Sequence, residues 1–320
     1  MPRFKLTIAY DGTNFCGWQK QEPYVNEGQA VGLKVPEPGI DEPNADPYAR
    51  VQGVVHREGE DRPRLQLRTV QHIVERAVRE IVREPISLLG ASRTDSGVHA
   101  RGQVAAFSCS GREREERGEG GEGDPSHSGW PLSRGAGRLR RAINGRLPDD
   151  VQILGVDLVP DTFDPITDCV SKGYSYTLHV SPPPPRGMGL RPLWDRHFVH
   201  HIWEPLDASL MHAACERLVG EHDFAAFAAS GHGRENTVRT VHSLTVTRLA
   251  DAMDAQRLRI DISGSGFLYN MVRIIAGTLV EVGKGKMTVE AVTAALRSKD
   301  RRNAGPTLGP EGLCLEWVRY

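Results

Sequence analysis

The stretch ASRTDSGVHARGQVAAF, residues 91–107, sets an arginine, an aspartate, a glycine and a histidine in a short loop between the apolar run ISLLG and the strand-like QVAAF. Side chains two positions apart on an extended backbone project to the same side, which groups Arg93 with Asp95. A guanidinium so placed favours the ionised carboxylate, the form required of a nucleophile or a base. Gly97 permits a positive φ and lets the aspartate be presented from a sharp turn. The residues alone leave a second reading open, in which Asp95 caps the turn and Arg93 merely holds it.

Outward from this loop the hydrophobic pattern is legible. Phe4, Leu6 and Ile8 alternate as on a half-buried strand, whereas Val70, Ile73, Val74, Ala77, Val78, Ile81 and Val82 recur at helical spacing. Strand patterns return at 102–108, 151–159, 174–180, 240–248 and 257–263, and helical ones at 207–219, 267–282 and 288–298. This order predicts an α+β protein of two similar halves, with helices flanking a largely antiparallel sheet. The proline run at 181–185 interrupts any strand and marks the connection, giving an N-terminal half of 1–180 and a C-terminal half of 181–320. Two segments, about 22–66 and 111–137, are rich in Gly, Pro and charge, lack a sustained period, and read as insertions or mobile loops without a catalytic role.

The same segments explain an overall charge that looks wrong for a nucleic-acid partner. Residues 22–66 hold nine acids and five bases, and 111–137 six acids and four arginines; the formal net charge is −1, so the rest of the chain stands at +5. That mild basic bias is compatible with a phosphate-binding surface. Five scattered cysteines with no C-x-x-C spacing point to a reducing compartment and to neither a disulfide framework nor a zinc site. His197, His200 and His201 lack a fourth partner at zinc-like spacing. No run of 18 apolar residues and no signal-like start is present, so a cytoplasmic protein with no membrane span is expected.

The loop at 91–107 resembles the catalytic signature of the tRNA pseudouridine synthase A family, and further matches follow in order across nearly the whole chain. AYDGTNFCGWQ at 9–19 resembles the family's first strand and loop, TVQ at 69–71 the start of its first helix, and NGRLPDD at 144–150 its Asn-Leu-Pro-Asp motif. KGYSYTLHV at 172–180 resembles its Tyr-x-Tyr strand and GEHDFAAF at 220–227 its second-half helix end. FLYNMVRIIAG at 267–277 resembles its arginine helix and EGLCLEWVRY at 311–320 its closing strand.

The resemblance implies the pseudouridine synthase fold and isomerisation of uridine in the anticodon stem-loop of tRNA, without a metal or organic cofactor. It makes Asp95 the catalytic carboxylate and Arg93 its neighbour. Tyr174 becomes the residue that contacts the target base, and Arg273 the arginine that pairs with the aspartate. Arg93, His99, Tyr174 and Arg273 are the candidate substrate-binding residues. The partners implied are tRNA and a second copy of the chain. Ser92 and Ser96 stand where the family commonly has Gly and Ala, and Gly173 is expected to loosen the strand ahead of Tyr174. Two other readings compete. One is a tRNA-binding or folding protein of the same fold without catalysis. The other takes Asp95-Ser96-Gly97 as an aspartic protease motif, a chemistry that needs two carboxylates sharing a proton, whereas no second such motif occurs.

Overall fold

A computed structural model describes residues 1–24, 51–55, 62–111, 129–229, 236–252 and 255–320, which fall into two compact units, Met1–Asp168 and Cys169–Tyr320. The boundary precedes the expected division at 180/181. The reason is strand pairing: residues 171–180 hydrogen-bond to strands that come later in the chain.

In the first unit the central strand β1 (Arg3–Tyr10) buries Phe4, Leu6, Ile8 and Tyr10 on one face. It pairs antiparallel with β5 (His99–Ser108) on one side and β6 (Val151–Val159) on the other. A two-residue strand, β4 (Leu89–Gly90), adds to β5. Helix α1 (Val70–Val82) starts where the Thr69 hydroxyl accepts from the His72 N–H and buries Val70, Ile73, Val74, Ala77, Val78 and Val82. Helix α2 (Ala136–Asn144) packs on β6 and α1 through Leu139 and Ile143.

The expected insertions are only partly as described by composition. Strands β2 (Val51–Val55) and β3 (Arg64–Leu67) form an antiparallel pair across the end of 22–66, and α2 begins inside 111–137. Leu65 is fully buried and anchors that pair, an apolar position too isolated to show a period. The remaining parts at 25–50, 56–61 and 112–128 lie outside the described residues.

In the second unit the strand order is β12–β7–β11–β10–β9, all antiparallel, built from β7 (Ser171–Val180), β9 (Gly220–Asp223), β10 (Val238–Ala252), β11 (Ala255–Gly264) and β12 (Leu313–Arg319). A short strand, β8 (His200–Ile202), runs parallel to the end of β7 beyond the reach of β12. Helices α3 (Ala208–Cys215), α4 (Met271–Gly283) and α5 (Val289–Ser298) complete the unit, α3 packing on both α4 and α5.

Gly173 does not loosen β7. The Trp317 indole lies where its Cβ would be, so the glycine allows a close ring-on-backbone approach beside a bulge in β12. Helix α4 starts at Met271 rather than at 267, because Asn270 adopts a left-handed conformation (φ 60°) and turns the chain just before it. Along α4 runs the segment 305–308. The Gly305 N–H donates to Thr278 Oγ1 at 2.9 Å, and a Cβ on Gly277 would fall on the Pro306 carbonyl oxygen. Backbone cannot yield as a flexible side chain does. Gly277→Ala is therefore expected to cost about 2–3 kcal/mol, seen as a lower denaturant midpoint at unchanged slope; a wild-type midpoint would mean that 305–308 can shift freely.

Candidate active site

Asp95 lies in a turn that the preceding loop, residues 11–18, holds by its backbone. The Trp18 N–H donates to the Thr94 carbonyl at 3.0 Å, and the Gly97 N–H and Ser96 hydroxyl both donate to the Phe15 carbonyl, at 3.3 and 3.1 Å. Within the turn the Val98 N–H donates to the Asp95 carbonyl at 3.1 Å. Such contact requires small residues at two points. Gly17 has φ +90°, and a Cβ there would meet the Thr94 carbonyl oxygen at 2.6 Å; a Cβ on Gly12 would overlap the Val98 carbonyl.

Side chains complete the frame. Thr94 is buried, and its hydroxyl pairs with Tyr10 Oη at 2.7 Å, while half-buried Asp95 and exposed Arg93 flank it on the more open side. The alternation is the one expected of an extended segment. Fully buried Gln103 donates through Nε2 to the Ser92 carbonyl at 2.7 Å and fixes the other end of the loop. The carbonyls of Gly17 and Trp18 also accept from the first amides of α1, those of Val70 and Gln71, so the loop caps a helix as well as framing a turn.

His99 is buried at the start of β5, and its Nδ1 accepts from the Gly12 N–H at 3.0 Å. The same Nδ1 lies 3.2 Å from Asp11 Oδ1, a contact that becomes a hydrogen bond when Nδ1 carries the proton. Burial works to raise the Asp11 pKa, but hydrogen bonding with His99 and with the hydroxyl and N–H of Thr13 outweighs it and brings the carboxyl down to about 2. Asp11, Gly12, Phe15, Gly17 and Trp18 thus support the turn. The run AYDGTNFCGW carried them in the sequence, where two glycines beside aromatics were the available signal.

The other two candidate residues belong to the second unit. Tyr174 on β7 is 7% exposed and packs edge-to-face against Phe267, with ring centroids 5.2 Å apart and planes at 85°. Its neighbour in the motif, Tyr176, is structural: its hydroxyl donates to the Gly309 carbonyl at 2.8 Å, and burial raises its pKa well above the usual value. Arg273 on α4 donates through Nε to the Leu308 carbonyl at 2.7 Å and through one terminal nitrogen to Asn270 Oδ1 at 2.8 Å. Two bonds from one planar fork orient the guanidinium, so the left-handed Asn270 that starts the helix also aims its arginine.

The histidine cluster has ordinary explanations. His200 Nδ1 lies 2.5 Å from Glu311 Oε1, and His201 packs against Trp203 with centroids 4.1 Å apart. Burial, followed by the nearby His179, Arg191 and His200, lowers the His201 pKa to about 4. Among the described residues no group of three His, Cys, Asp or Glu side chains is placed to hold a metal ion, and no helix is long and apolar enough to cross a membrane. All five cysteines are free thiols.

Comparison with known proteins points to a family of RNA-modifying isomerases. A family model described as tRNA pseudouridine synthase matches residues 214–320. Over its full length the chain is 35% identical to a tRNA pseudouridine synthase A of Geobacter sp. (strain M21), with 99% of that protein covered. It is 36% identical to the one of Geotalea uraniireducens and 32% identical to a tRNA pseudouridine synthase A 2 of Clostridium perfringens, each matched over its whole length. The chain belongs to the tRNA pseudouridine synthase A family.

The acid strength of Asp11 has a consequence for stability. Its folded pKa of about 2 lies below the ordinary 3.8, so the charged form stabilises the fold above about pH 4, and this contribution is lost as pH falls through about 2. Asp11→Asn should therefore melt below wild type at neutral pH, with the gap closing between about pH 4 and pH 2. Thermal melts across that range test this, and a gap independent of pH would contradict it.

Proposed function

We propose that this chain converts uridine to pseudouridine in tRNA, in the anticodon stem-loop, with Asp95 as the catalytic carboxylate. The observation that carries the reading is the turn at 94–98. A half-buried carboxylate is presented from a backbone fixed by Phe15, Trp18 and Gly97, in a chain alike over its whole length to proteins named tRNA pseudouridine synthase A.

The reaction breaks the N1–C1′ bond, turns the released uracil and joins C5 to C1′, with a proton leaving C5 and one returning to N1. It is redox-neutral and imports no group, so a carboxylate that acts as nucleophile or base is sufficient. Reaching C1′ requires the nucleotide to leave its stack, and Tyr174 is the aromatic candidate for supporting the exposed base. The oriented fork of Arg273 suits an anionic partner, either a carboxylate or a phosphate. His99 acts through Gly12 and Asp11 as a positioning residue, and exposed Arg93 is suited to the RNA backbone. The working form is proposed to be a homodimer in the cytoplasm.

Asp95→Asn keeps the shape of the pocket and removes the charge. It should abolish tritium release from 5-tritiated uridine in tRNA while leaving tRNA affinity within about tenfold, or about 1.4 kcal/mol, because phosphate contacts dominate binding. Multiple turnover by this variant would remove Asp95 from its role. A wild-type protein that binds tRNA without releasing tritium would instead favour a non-catalytic RNA-binding protein.

A further inference from the structure

Helix α2 and its flanks carry a basic face that the Arg134 contact with the Trp130 ring (5.6 Å) and the last-turn position of Arg141 explain only in part. Between Gly129 and Pro148 there are five arginines and no acid. Leu139 and Ile143 point to the sheet, whereas Arg138 and Arg141, three positions apart, lie on the opposite and exposed side. Arg134 precedes them in a short 3-10 turn and Arg146 follows the helix, both exposed. At about 1.5 Å rise per residue Arg138 and Arg141 stand about 4.5 Å apart along the helix axis, with Arg134 and Arg146 beyond its two ends. Among the described residues none of the four forms an ion pair.

Of these cations only Arg141, in the last turn, is favoured by the helix dipole. A helix favours acids in its first turn, and α2 has none there, nor a side-chain cap at Gly135. Surplus positive charge held on a rigid face, unneutralised by neighbouring acids, is complementary to a polyanion. The face is also tied to the Asp95 turn. Asn144 at the end of α2 exchanges two hydrogen bonds with the backbone of Ile153 on β6, at 2.8 and 2.9 Å. Asp150 follows: its carbonyl accepts from the Asp11 N–H at 3.0 Å, and its carboxylate pairs with Arg68, whose guanidinium lies 4.0 Å from the centroid of the Phe15 ring. Phe15 is the residue whose carbonyl holds Ser96 and Gly97.

We infer that Arg134, Arg138, Arg141 and Arg146 form a track for the phosphodiester backbone of the tRNA, leading toward the end of the first unit where Asp95 is presented. The inference rests on the reading of tRNA as substrate. It adds a surface that sets affinity and register without touching the reacting atoms.

The test compares Arg138→Gln/Arg141→Gln with a control that removes two exposed arginines elsewhere, Arg217→Gln/Arg297→Gln. For the first variant, unmodified tRNA should bind about five- to twentyfold more weakly near 0.1 M salt, and the log–log salt slope should be shallower by about 1.5, the loss of two phosphate contacts. KM for tRNA should rise in step while kcat stays within about twofold, and the control should match wild type throughout. Wild-type affinity and slope in the first variant, or equal losses in both variants, would overturn the track. Affinity decides this whether or not the wild type isomerises uridine. Tritium release by the wild type separately decides the catalytic reading.

Discussion

The close backbone contact between residues 11–18 and the turn at 94–98 is the constraint on which the rest of the first unit depends. Main-chain donors and acceptors set where the Asp95 backbone lies, and Gly12 and Gly17 make the approach possible. The contact is reinforced from both sides, because the same loop ends β1, caps α1 and receives the Asp150 carbonyl at the start of β6.

The second unit uses the same principle at another scale. Arg273 is aimed by a carbonyl and an asparagine side chain, and its helix is held at a fixed height by Gly277 and Gly305 against neighbouring backbone. Glycines at such points permit distances that a methyl group would forbid, so the guanidinium inherits the precision of main-chain packing. The histidines at 200 and 201 illustrate the opposite outcome: chemically capable groups that pair with Glu311 or pack on Trp203.

The sequence revealed most where one period or one motif dominated. The alternation of Phe4, Leu6 and Ile8 and the helical recurrence from Val70 to Val82 translate directly into β1 and α1, since each buries one continuous face. Helix α2 was not legible, because only Leu139 and Ile143 are buried in an arginine-rich run and two positions make no period. The strand pair of β2 and β3 escaped because acidic, proline-rich composition masks a single anchoring leucine. Gly173 was misjudged from propensity alone: what matters is the Trp317 ring above it, contributed by a residue far along the chain. At the site, Asp95, Arg93 and His99 were readable as a motif. The supporting roles of Asp11, Gly12, Gly17 and Asn270 were not, because they arise from contacts between segments distant in sequence, or from a backbone conformation that no side-chain pattern announces.

Family membership, a framed carboxylate and a basic face on the same unit converge on one activity. Catalysis by a held carboxylate and recognition through phosphates are separable tasks, and the proposed reading gives them to different side chains of the first unit. The most direct measurement is site-by-site mapping of pseudouridine in tRNA after incubation with the purified protein. Pseudouridine appearing at uridines of the anticodon stem-loop, and dependent on Asp95, is the expected result; tRNA left unmodified by a folded, tRNA-binding protein would contradict it.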